Sequence, residues 1–139
     1  MTALDLRAVE EIEDCTLSGW SLPSLQRELA VPQGLCLVAE EAQFVKGWCA
    51  CRRIWPEAEL LRIAVAEQQR KKGVGSLLLH NLCGDLRQQR YSSLFLEVRS
   101  QNQAALGFYR RHGFQRVGVR RRYYTEPYDD ALLLKLEIK

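Results

Sequence analysis

The chain has no even, closely spaced set of cysteines. Its five, at positions 15, 36, 49, 51 and 83, form neither a disulfide framework nor the paired spacing of a zinc site. Cys49 and Cys51 fall on the same face of one strand, and the thiols read as small apolar residues in a reduced compartment. Histidine is scarcer still: His80 and His112 belong to different predicted helices with no acid or cysteine at metal spacing, so both are packing or surface residues and no metal is expected. No apolar run approaches the ~20 residues of a membrane span, and the opening Met1-Thr2-Ala3-Leu4-Asp5-Leu6-Arg7 lacks the basic-then-apolar layout of a signal peptide. A cytoplasmic location is therefore expected. Charge of one sign is lacking too, with 20 Lys and Arg against 17 Asp and Glu, net +3. That bias suits phosphate-bearing small molecules and falls short of a dedicated nucleic-acid binder. Without repeats, low-complexity tracts or a linker, residues 1–139 read as a single domain.

What is present is an alternation of elements. Asp5 to Val9 alternates weakly as a strand, Glu10 to Cys15 reads as a helical turn, and Leu17-Ser18-Gly19-Trp20 follows as a connection. Ser21 caps a helix from Pro23 to Ala30. Leu35 to Glu40 and Phe44 to Ile54 form a hairpin across Glu41-Ala42-Gln43, and Leu60 to Ala66 is another strand. From Val74 to Gln89, the apolar residues Val74, Leu78, Leu82 and Leu86 recur at helical spacing, with Leu79 and Cys83 beside them. Ser93 to Arg99 is a strand, Asn102 to His112 a helix ended by Gly113, and strands near Gln115 to Tyr124 and Ala131 to Ile138 complete the chain. Strand, helix and strand from Leu60 to Arg99 make a β-α-β unit with parallel strands. The expected architecture is a mixed α/β domain of about seven strands, antiparallel at its ends and parallel in the middle, flanked by about four helices.

Between that unit's first strand and its helix lies Gln68-Gln69-Arg70-Lys71-Lys72-Gly73-Val74-Gly75-Ser76. A helix N-terminus favours negative charge, so Arg70, Lys71 and Lys72 oppose the dipole unless an anion arrives, and no Ser, Thr, Asp or Asn stands ready as a cap. Gly73 and Gly75 would let a pyrophosphate approach several N–H groups at once. The Walker and dinucleotide patterns both fail, the latter because Leu78 stands where the third glycine is needed. An ordinary basic turn explains this segment equally well on local grounds.

Two further residues carry chemistry. Glu97 lies inside the apolar strand Leu94 to Arg99, where a partly desolvated carboxylate serves either as a base or in an ion pair with Arg99. Tyr109 shares a helix face with Asn102, Ala105 and His112, the ordinary setting of a core aromatic. Arg120-Arg121-Arg122-Tyr123-Tyr124 mixes cations and aromatics, which fits contact with RNA or one solvated strand face. Trp20 lines an acceptor pocket or covers the core.

Taken together, the sequence resembles the GNAT acetyltransferase superfamily. Its phosphate motif Arg/Gln-x-x-Gly-x-Gly/Ala is matched by Arg70-Lys71-Lys72-Gly73-Val74-Gly75. Leu96-Glu97-Val98-Arg99-Ser100-Gln101-Asn102-Gln103-Ala104-Ala105, with Phe108-Tyr109, Gly113-Phe114, Arg120 to Tyr124 and Asp129-Asp130-Ala131, is similar to the subgroup acetylating protein N-termini, especially the RimI-like ribosomal-protein-alanine acetyltransferases. The likeness is dense from about Leu60 to Leu134; before that only Trp20-Ser21 matches. It implies acetyl-CoA as acyl donor, Glu97 as general base and Tyr109 as general acid. It also implies acetyl-CoA contacts at Ile63, Ala64 and Val65, from Lys71 to Ser76, and at Asn102.

Such chemistry needs no nucleophile from the enzyme, because a thioester is already activated and an amine attacks it directly. The enzyme must neutralise the amine, hold the oxyanion and protonate the thiolate. An α-amine of pKa ~7.8 costs about 1 kcal/mol to deprotonate at pH 7, and lysine at ~10.4 nearly 5. The expected acceptor is thus a protein N-terminus, plausibly that of a ribosomal protein. Lysine or small amines as acceptors, and a non-catalytic acyl-CoA-binding or RNA-docking module, are the rival readings.

Overall fold

The computed structural model describes residues 1–15 and 19–138. The expected connection Leu17 to Trp20 falls partly outside those residues. After a 3₁₀ turn at Ala3–Asp5 come α1 (Leu6–Asp14), α2 (Leu22–Ala30), β1 (Gly34–Glu41), β2 (Phe44–Ile54), β3 (Glu57–Val65), α3 (Val74–Gln88), β4 (Ser93–Arg99), α4 (Gln103–Arg111), β5 (Gln115–Thr125) and β6 (Tyr128–Glu137). A second 3₁₀ turn, Glu67–Gln69, precedes α3.

Among the described residues the sheet has six strands in the order β1-β2-β3-β4-β6-β5, against the seven expected. The strand expected from Asp5 to Val9 is helical instead. Leu6, Val9, Ile12 and Glu13 are buried along α1, a spacing of three and four that only a helix turns to one side. Five residues of weak alternation could not compete with that period. The turn expected from Glu10 is simply the same helix continued. Elsewhere Ser21 caps α2 by accepting from the Ser24 N–H, and the β1–β2 hairpin turns on Ala42 and Gln43, both at positive φ.

β3 and β4 run parallel, and every other pairing is antiparallel. The parallel pairing is brief: it covers Glu57↔Ser93, Ala58↔Leu94 and Glu59↔Phe95 and ends there. β3 keeps β2 as a neighbour out to Val65, while β4 continues beside β6 to Arg99. The sheet therefore splays open beyond Glu59, and a bulge between Ala50 and Cys51 in the β2–β3 ladder lies at the start of the opening.

Each face of the sheet has its own core. Cys49, Cys51, Leu60, Leu94, Leu96 and Val98 pack with α3 and α4 on one side, and Trp48, Ala50 and Ala64 pack with α1 and α2 on the other. Cys49 and Cys51 sharing one face bears out the strand reading, and all five cysteines are free. Gly47 lets β2 approach the start of α3, since a Cβ there would meet Val74 Cγ1 at 2.9 Å and the Ala64 carbonyl at 3.0 Å.

Candidate active site

The splay is a cleft of about 480 Å³, walled by Arg62, Ile63, Ala64 and Val65 from β3, Arg70 and Gly75 from the loop and α3, and Ala105, Phe108 and Tyr109 from α4; Cys15 reaches it from the end of α1. α4 brings Tyr109 here because Asn102 caps the helix, its Oδ1 accepting from the Ala105 N–H at 3.1 Å. Tyr109 is buried and its ring makes edge contacts with Phe108 and Phe114. Burial pushes its phenol up to about 12, and the nearby Arg62 guanidinium opposes the rise. The proton thus stays on Tyr109 throughout the neutral range.

Beside this cleft a second hollow runs along the start of α3, lined by Val65, Arg70, Lys71, Gly73, Val74, Gly75 and Ser76 together with Gln103, Ala104, Gly107, Phe108 and Arg111 of α4. The helix begins at Gly73 with no side-chain cap and no acid in its first turn, which leaves its first N–H groups available to an anion. Gly73 sits at φ +84° with nothing within 4 Å of where a Cβ would lie, and a Cβ on Gly75 would press on the Phe108 ring at 3.3 Å. Lys71 also adopts positive φ, and Arg70 closes the turn by donating to the Val65 carbonyl at 3.3 Å. An open glycine cradle, uncapped donors and cations from two elements fit a pyrophosphate.

Not every residue singled out in the sequence converges here. Lys72 lines a separate hollow with Glu40, Glu41 and Lys46. Asn102 is exposed, and its side chain serves the α4 cap. Ser76 lines the cradle and pairs with His112 Nε2 at 2.9 Å; His112 stacks on Phe108 while His80 is exposed. Among the described residues no cluster of His, Cys, Asp or Glu could hold a metal.

Glu97 is not among the residues walling either hollow. It faces away from Leu96 and Val98, and its partner is Arg120 of β5 at 3.2 Å, not Arg99. Arg99 instead donates to the carbonyls of Pro127 at 3.0 Å and Glu126 at 3.2 Å and stacks over Tyr124 at 4.1 Å. Burial, and after it the Glu97 carboxylate, raises the Tyr124 phenol. Glu97, Arg120 and Tyr124 thus form a polar group on the far side of the opening.

Three residues escaped the sequence reading. Arg111 and Gly107 reach the cradle because Gln103, Gly107 and Arg111 recur every fourth residue along α4. That period was available as a signal. Glu13 is the third: fully buried, it accepts from the Trp48 indole at 3.1 Å, from the Trp20 N–H at 3.0 Å and from Arg62, with which it pairs at 3.0 Å. Trp20 accordingly covers this buried carboxylate and meets Trp48 edge-on, with ring centroids 5.6 Å apart. Its position four residues after Val9, on the apolar face of α1, is the one trace Glu13 leaves in the sequence.

A sheet opened between two parallel strands, with an anion cradle at the next helix and a protonated phenol in the opening, defines an acyl-CoA-dependent transferase. The chain belongs to the acetyltransferase (GNAT) family, whose sequence pattern matches residues 6–114, and it is an acetyl-CoA-dependent N-acetyltransferase. It is 34% identical over 142 residues to the N-alpha-acetyltransferase RimI of Mycobacterium tuberculosis, covering 97% of this chain and 88% of that protein. With the ribosomal protein bS18-alanine N-acetyltransferase of Escherichia coli K12 it shares 38% over 84 residues, 59% of this chain and 57% of the relative. The crystal structure of the Escherichia coli ribosomal-protein-S18-alanine N-acetyltransferase superposes with a TM-score of 0.92 at 28% identity, over 100% of this chain and 91% of that one. Ard1 from Thermoplasma volcanium superposes with a TM-score of 0.88 at 26% identity, over 100% and 95%.

Proposed function

We propose that this enzyme, acting as one domain in the cytoplasm, transfers acetyl from acetyl-CoA to the α-amine of a protein N-terminus, plausibly the N-terminal alanine of a ribosomal protein. One observation carries the reading: the opening between β3 and β4 places Tyr109 against Ile63, Ala64 and Val65, with the uncapped start of α3 alongside. Residues Lys71 to Ser76 hold the pyrophosphate, helped by Arg70 and Arg111, while Lys72 adds long-range charge. Asn102 contributes by fixing the first turn of α4.

In this mechanism the neutral amine attacks the thioester carbonyl. A new C–N bond forms, the carbonyl becomes an oxyanion met by β3 N–H groups that have no β4 partner, and collapse breaks the C–S bond. Tyr109 gives its proton to the departing thiolate. Glu97 takes the amine's proton, through water if need be, and Arg120 keeps the carboxylate ionised and oriented for that task. The ordinary pKa of an α-amine makes this a small demand, about 1 kcal/mol at pH 7.

Acetyl-CoA offered with N-terminal peptides, lysine peptides and small amines, while free thiol and the site of acetylation are measured, tests the reading. Acetyl on peptide α-amines is expected. Modification confined to lysine or small amines would overturn the acceptor assignment, and thiol release with none of them would overturn catalysis by amine attack.

A further inference from the structure

Arg62 has no part in the chemistry above, yet its side chain stands in the wall of the catalytic cleft with Tyr109. β3 places it opposite Ala50, three residues past the last pairing with β4. Its alternation with Ile63 directs it, like Ala64 and Trp48, to the α1 and α2 side of the sheet. From there one edge of the guanidinium is fixed, because Nε donates to Glu13 at 3.2 Å. Glu13 is itself held by Trp48 and Trp20.

A long cationic side chain ordinarily loses much rotamer freedom when it grips a ligand. Arg62 is ordered in advance, and a planar guanidinium matches a carboxylate in two parallel hydrogen bonds. Glu13 is fully buried and stays out of the cleft wall, whereas Arg62 keeps 21% of its side-chain surface exposed. The other charged residue walling the cleft is a second cation, Arg70, and no carboxylate lines it. An acceptor threading toward Tyr109 therefore passes a fixed cation and no competing anion.

We propose that Arg62 is a specificity-determining residue that pairs with a carboxylate carried one or two residues beyond the reactive N-terminal residue, so that acidic N-termini are preferred acceptors. This rests on the reading of the acceptor as a peptide N-terminus. A basic side chain at the same place meets like charge and is disfavoured.

The test uses peptides identical except for Glu, Gln or Lys at the second and, separately, the third position, acetylated by the wild-type enzyme and by Arg62→Gln, Arg62→Lys and Arg62→Glu. For the wild type, kcat/KM for a Glu peptide should exceed that for its Lys counterpart by ~10-fold or more at one of the two positions. Arg62→Gln should bring the two within ~2-fold, Arg62→Lys should keep part of the preference, and Arg62→Glu should reverse it, with KM for acetyl-CoA unchanged. A role limited to neutralising Glu13 would lower stability and leave the peptide ratios alone. Equal rates for Glu and Lys peptides with the wild type, or a ratio that survives Arg62→Gln, would overturn the proposal, and the wild-type series decides even if a variant fails to fold. Acetylation of lysine side chains or small amines alone overturns the parent reading as well, and so differs from a flat N-terminal series, which overturns this inference by itself.

Discussion

Tyr109 shows how one side chain serves both packing and chemistry. Its ring belongs to the α3 and α4 core, and its hydroxyl reaches the cleft with a pKa lifted to about 12 by burial. Tyr109→Phe keeps the edge contacts with Phe108 and Phe114 and removes the proton donor alone. We expect kcat to fall ~10-fold to 1000-fold with KM for acetyl-CoA nearly unchanged; equal kcat in a steady-state thiol assay would remove Tyr109 from the acid's role. The residue was legible in the sequence because helical spacing fixes its face within α4. Pairings across the fold were not. Glu97 was expected beside Arg99, two positions along its own strand, but meets Arg120 from β5. Glu13 and Arg62 lie 49 residues apart, and nothing in local periodicity joins an α1 carboxylate to a β3 guanidinium.

At the level of elements, α3 carries the clearest correspondence between sequence and structure. Its apolar period predicts Val74 to Gln89, and the helix spans Val74–Gln88. Strong periods of 3.6 survive tertiary context, whereas short, weak alternations such as Asp5 to Val9 do not, which is why α1 was misread. The start of α3 is also where glycine is demanded by a neighbour. Gly75→Val would push side-chain carbons into the Phe108 ring, already 3.3 Å from a Cβ. We expect a loss of ~1–3 kcal/mol in stability by urea titration. Because Phe108 separates the cradle from the cleft, KM for acetyl-CoA should rise ~10-fold or more, while kcat at saturation changes less. An unchanged KM would show that the helix start does not hold the pyrophosphate.

For the molecule as a whole, the buried thiols set an alkaline limit. Burial raises Cys36 to about 11, Cys49 and Cys51 to about 12, and Cys83 in the same direction, from an ordinary value of 9.0. These pKa values are higher folded than unfolded, so the thiols' contribution is fully present below pH 9 and is lost as pH climbs toward 11 to 12. Each thiol then removes up to ~1.4 kcal/mol per pH unit. Urea midpoints should drop between pH 8 and pH 10.5 and drop less steeply in Cys49→Ala; a flat profile would contradict the burial. The splay has a consequence of another kind. Three residue pairs join the β1-β2-β3 half of the sheet to the β4-β6-β5 half, so the ladder is weakest where the cleft begins. The two halves should behave as separate opening units in native-state hydrogen exchange, with amides from Leu60 to Val65 that face the gap exchanging before those bonded to β2. Acetyl-CoA would slow that exchange by bridging both halves, making the substrate a temporary part of the sheet's own cohesion.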